Sequence, residues 1–70
     1  MTLTAVVQRE ENLFVAQCPE LGVVSQGTSR VEAIANLREA VEGLLEVADD
    51  AEIGRRLREG ATVSTLEVAA

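Results

Sequence analysis

A chain of 70 residues with net charge −6, 47% hydrophobic residues and neither His, Trp nor Tyr has room for one domain, spanning 1–70. A domain of that size buries only about 60% of the surface its unfolded chain exposes. Small cores call for a staple, yet the single Cys18 closes no intrachain disulfide and, without His, no zinc site, so a homodimer or higher homo-oligomer is expected. The charge argues against a nucleic-acid binder, which needs clustered Lys or Arg, and suits a soluble chain or a basic partner.

Residues 3 to 8, Leu-Thr-Ala-Val-Val-Gln, are β-branched and roughly alternating and predict a first strand. Arg9-Glu10-Glu11-Asn12 reads as a turn, with Asn12 suited to positive φ. Residues 13 to 18, Leu-Phe-Val-Ala-Gln-Cys, complete a hairpin, and Pro19 ends that strand because it has no amide to give a ladder. Pro19-Glu20-Leu21-Gly22 is a second turn, and residues 23 to 26 return as a third strand, giving an antiparallel meander.

After Gly27-Thr28, the run Ser29-Arg30-Val31-Glu32 fits a capping box: the Ser29 hydroxyl accepts from the Glu32 amide and the Glu32 carboxylate reaches back to the Ser29 amide. Val31, Ile34, Leu37, Val41, Leu44, Leu45 and Ala48 then recur at helical spacing to about residue 47, one apolar stripe. Arg38 and Glu42 form an i,i+4 pair on the wet side. Gly43 lies inside this helix, where Gly is tolerated at a cost or marks a close neighbouring backbone. Residues 50 to 59 predict a short second helix ended by Gly60, and residues 63 to 68 a last strand of imperfect alternation. The order is β-β-β-α-(short α)-β, an α+β two-layer sandwich whose last strand is expected to return beside the first.

Reactive chemistry is scarce. Ser and Cys nucleophiles need an imidazole or an equivalent base, and the chain has no His. Cys18 has only Glu20 near it in sequence, which does not stabilise a thiolate, so it reads as a buried, inert thiol. Glu10-Glu11 and Asp49-Asp50 fall at a turn and a helix end, and Glu32, Glu39, Glu42 and Glu46 on the polar side of the main helix; all read as solvated rather than catalytic or Mg²⁺-holding. No phosphate-binding glycine motif occurs. Arg55, Arg56 and Arg58 are the one basic cluster and read as surface partners of Asp49, Asp50, Glu52 and Glu59 instead of phosphate contacts. The expectation is a protein that is not an enzyme and has no catalytic, cofactor or metal site. Without a signal-peptide pattern or a stretch of about 18 apolar residues, and with a free thiol, a cytoplasmic location is expected.

The run from Phe14 through Cys18-Pro19-Glu20-Leu21-Gly22, then Val24-Ser25-Gln26-Gly27-Thr28-Ser29, Glu32-Ala33 and Leu37-Arg38-Glu39-Ala40, resembles the HicB-like antitoxin family. Its members show a strand ending in a Pro-Glu-x-Pro-Gly turn, a Gly-Asp-Thr step and a Glu-Ala helix start. The likeness covers residues 3 to 48 and departs where Leu21 precedes Gly22 directly and Thr28 follows Gly27. It implies a β-β-β-α-β partial ribonuclease H-like fold without nuclease activity. It also implies a type II toxin–antitoxin role, masking a small basic RNA-cleaving toxin, HicA, with a catalytic His of its own. The DNA-binding domain of many members is not carried over, so a short form without direct nucleic-acid contact is expected.

Two functions follow as expectations. In the first, the acidic sandwich covers the toxin's RNA-binding face, with Glu20 and Leu21 in the turn and Glu39, Glu42 and Glu46 on the helix as contacts. In the second, the chain is a solitary homo-oligomeric structural or ligand-sensing module, with Gly43, Val63, Leu66 and Val68 at subunit contacts. Nuclease activity ranks below both, since it needs several carboxylates converging on Mg²⁺ and the first strand contains none.

Overall fold

In a computed structural model, which describes residues 1 to 69, the chain runs β1 (Val6–Glu10), β2 (Leu13–Cys18), β3 (Val23–Gly27), α1 (Arg30–Val47) and α2 (Asp50–Glu59). It is an α+β protein: a three-stranded antiparallel sheet in the order β1-β2-β3, followed by two helices. The hairpin register pairs Val7 with Ala16 and Glu10 with Leu13, which leaves Glu11 and Asn12 as the loop. The positive φ falls on Glu11, at 54°, rather than on Asn12. β2 pairs with β3 through Ala16–Ser25 and Cys18–Val23.

Because facing residues share a side of the sheet, Val7, Phe14, Ala16, Cys18 and Val23 look inward. Val6, Gln8, Val15, Gln17, Val24 and Gln26 look outward, to water. The core is Ala16, Cys18, Leu21, Ala33 and Leu37, with Leu3, Val7, Phe14, Val23, Val41 and Leu44 packed around it. Arg30 sets its guanidinium carbon 4.8 Å from the Phe14 ring centroid and Arg9 sets its own at 6.0 Å, so two cations flank the one aromatic ring at the open end of the core.

α1 starts where the sequence places it. Ser29 is extended at φ −143° and its hydroxyl accepts from the Glu32 amide at 3.1 Å. The return contact is shifted by one residue: the Thr28 amide, not that of Ser29, donates to Glu32 Oε1 at 2.9 Å. Gly27 makes the entry compact, since a Cβ there would lie 2.6 Å from the Ala33 nitrogen. Asn36 Nδ2 donates to the Gln26 carbonyl at 2.8 Å, tying the helix to β3. α1 lies over β3 and β2 and scarcely reaches β1. α2 begins at Asp49, whose carboxylate accepts from the Glu52 amide at 2.8 Å, and ends at Gly60.

The expected last strand does not form. Residues 61 to 69 are exposed, without helix or strand. The Ala61 amide donates to the Pro19 carbonyl at 3.1 Å, and beyond that anchor the chain leaves the body as an arm. The β-propensity of Thr62, Val63, Thr65 and Val68 supplies no ladder without a neighbouring strand. Val63 also falls on the opposite side from Leu66 and Val68, so within one chain no continuous apolar edge pulls the segment onto the sheet. No helix among the described residues is long and apolar enough to cross a membrane.

Candidate interaction surface

The β2–β3 turn gathers distant parts of the chain. Pro19 ends β2, the Gly22 amide donates to the Cys18 carbonyl at 2.9 Å, and Glu20 turns back over the sheet. Its carboxylate accepts from the Thr4 amide at 3.2 and 3.1 Å, from the Thr4 hydroxyl at 2.7 Å and from the Cys18 thiol at 3.6 Å. The Thr4 hydroxyl is the main reason the Glu20 carboxyl titrates below its ordinary range. Burial first, and then the Glu20 carboxylate, push the Cys18 thiol up. A protonated, buried thiol is a poor nucleophile.

Leu21 does not present its side chain to a partner. It is 1% exposed and one of the two largest fully buried side chains. What it offers outward is its carbonyl, which accepts from Arg56 Nη1 at 2.9 Å, while Arg56 Nε reaches Glu52 at 3.4 Å. Arg56 therefore clamps α2 to the turn. Arg55 pairs with Glu59 at 3.2 Å, so two of the three arginines find the acidic partners the sequence suggested. The Arg38–Glu42 pair is not among the ion pairs formed.

Glu39, Glu42 and Glu46 all lie exposed on the side of α1 turned away from the sheet. At 100° per residue they fall within about 60° of arc, and with Ala35, Arg38 and Gly43 they line one shallow depression. A Cβ on Gly43 would meet nothing within 4 Å, so no backbone of its own chain approaches there. Val63, Leu66 and Val68 lie on the exposed arm, at 53%, 86% and 74% exposure.

Beside the acidic face lies a second, apolar groove of about 400 Å³ between residues 1 to 5 and α1. It exists because α1 covers β2 and β3 but not the side of β1. Leu3, Ile34, Val41 and Leu45 form its walls, Cys18 and Leu37 its floor, and Arg38 and Glu42 sit at its lip. Sequence reasoning missed this groove, Thr4 and the reach of Arg56 to the turn: the Arg56–Leu21 contact spans 35 residues, and no local spacing announces a pairing that distant.

Among the described residues no three His, Cys, Asp or Glu side chains come together in a way that could hold a metal ion. The acidic groups are spread over the face of α1, the helix caps, the β1–β2 hairpin and the arm, Glu52 and Glu59 pair with arginines, and Glu20 is committed to Thr4. Three surface features stand out among the described residues: an acidic helix face, an apolar groove and an apolar arm.

No protein-family model matches the chain, and no solved structure matches it. Among curated proteins, a UPF0150 protein of Helicobacter pylori is 34% identical over 70 residues, covering 99% of this chain and 97% of that protein. With its meander, capped helix and buried turn thus aligned from end to end with that relative, the chain belongs to the UPF0150 family.

Proposed function

We propose that this protein is antitoxin-like: it binds and sterically masks a small basic RNA-cleaving toxin of the HicA type. In this reading it is a cytoplasmic, HicB-like member of a toxin–antitoxin system with a partial ribonuclease H-like sandwich, and it acts without catalysis. The observation that carries the reading is the face formed by Glu39, Glu42 and Glu46, all exposed and none in an ion pair. Like charges at i,i+3 and i,i+4 cost a helix about 0.2–0.5 kcal/mol per pair. A cationic partner turns that repulsion into attraction and speeds encounter, while apolar contacts nearby set the lifetime of the complex. The withdrawal of the reactive groups, Cys18 by burial and Glu20 by Thr4, fits a protein that offers shape instead of reactivity.

The test is to mix the protein with the product of an adjacent toxin gene and follow RNA cleavage. Stoichiometric inhibition is expected, and a variant carrying Glu39→Gln, Glu42→Gln and Glu46→Gln should associate more slowly, with a weaker dependence on salt. Undiminished cleavage at molar excess ends the reading.

The exposed arm favours a second reading, a homo-oligomeric structural or ligand-sensing module with no toxin partner. The neighbouring reading frame separates the two: a short, basic, His-containing product supports the first, and its absence the second.

A further inference from the structure

The chain exposes 5415 Å², whereas a compact protein of 7.5 kDa exposes about 4,200 Å². Its radius of gyration is 13.5 Å against about 11 Å for a compact chain of this length. Each copy thus carries roughly 1,200 Å² of surplus surface, and two copies together about 2,400 Å², more than the ~1,200–2,000 Å² that stable interfaces bury, so covering only part of it would be enough. Both halves of a contact are present in one molecule: the arm, with exposed Val63, Leu66 and Val68, and the apolar groove between residues 1 to 5 and α1.

We infer that the arm of one copy, residues 62 to 68, lies in the groove of a second copy, and that the exchange is reciprocal, making a two-fold dimer. The occupant is a second copy for three reasons. The chain's own arm is exposed and none of its described residues lines its own groove, so an arm that fills it comes from another copy. Two chains of charge −6 repel least where charge is balanced; the arm carries only Glu67, and the groove's lip carries one charge of each sign, Arg38 and Glu42. Arm and groove on the same chain also give the self-complementary patch a two-fold interface requires. The exchange covers Ile34 and Leu45, which α1 leaves exposed, and the outer edge of Val41. It is independent of the toxin-masking reading and leaves the face of Glu39 and Glu46 open.

Sedimentation equilibrium of the full chain tests it. The wild type should run at twice its monomer mass. Leu66→Glu on the arm and Ile34→Glu in the groove should each give monomers with an unchanged helical circular dichroism spectrum. Each substitution acts twice in a reciprocal dimer, so a loss of about tenfold per site compounds to about a hundredfold in the dimer dissociation constant. The decisive step is mixing. Leu66→Glu keeps its groove and Ile34→Glu keeps its arm, so the mixture should regain a heterodimer through one intact contact. Leu66 is 86% exposed, so its replacement does not threaten the fold and keeps the test readable even if Ile34→Glu misfolds. A wild type that stays monomeric, a Leu66→Glu variant that still dimerises, or a mixture of folded variants without heterodimer would each overturn the inference.

Discussion

Replacing Leu21 with Ala separates a core role from a contact role. The side chain is 1% exposed, so truncation removes the equivalent of three buried carbons, about 2.4 kcal/mol at ~0.8 kcal/mol each. The cavity left beneath the turn raises the cost to about 2.5–4 kcal/mol. A chain of 70 residues has a total stability of roughly 3.5–10 kcal/mol, so the loss is a large share of the whole. Urea unfolding followed at 222 nm, at fixed protein concentration because association shifts apparent stability, reads it directly. With a slope near 1 kcal/mol per molar urea for so small a chain, the midpoint should fall by about 2.5–4 M. Leu21→Met, which nearly conserves volume, should cost under about 1.5 kcal/mol and serves as the reference if the Ala variant does not fold. A loss below about 1 kcal/mol for Leu21→Ala would refute the reasoning and return Leu21 to the surface.

Gly60→Ala should destabilise by about 1–3 kcal/mol, because a Cβ there runs into the Glu20 carbonyl oxygen and lies 2.7 Å from that of Arg56. Gly43→Ala, with nothing within 4 Å, should instead stabilise by about 0.5–1 kcal/mol, and a destabilisation seen in the same urea series would place Gly43 at a subunit contact. Glu20 ionises below its ordinary value of 4.5, so its contribution to stability is complete above about pH 4.5 and is lost as the pH falls through its lower folded value; Glu20→Gln should flatten the fall in urea midpoint on acidification, and an unchanged acid slope would contradict the Thr4 contacts. Cys18 should react with iodoacetamide at pH 8 at least about tenfold more slowly in the folded chain than in urea, and equal rates would mean the thiol is open.

The parts legible in the sequence are those fixed by neighbours. The Ser29 cap, the Asp49–Gly60 limits of α2 and the 13–18 strand follow from contacts within four residues or from alternation, and they stand as read. The first strand starts three residues later than alternation suggests, because only from Val6 does a partner across the ladder exist. The loop's positive φ moved from Asn12 to Glu11, since a two-residue loop between Glu10 and Leu13 asks it of the first central position. Leu21 was misread because a leucine in a turn looks exposed until the sheet and α1 come together and its side chain joins Ala16, Cys18, Ala33 and Leu37 in the core. The arm was misread for the converse reason: β-propensity describes a residue, whereas a strand is a property of two segments.

Thr4 and Ala61 bond to adjacent residues, Glu20 and Pro19, so the beginning and end of the folded body emerge side by side. A short flexible linker joining them, with new ends cut between Glu11 and Asn12, should give a circularly permuted protein that keeps its sheet. Since residues 1 to 5 line the apolar groove, a bulky tag ahead of Met1 would sit near its mouth, where it would compete with whatever docks there.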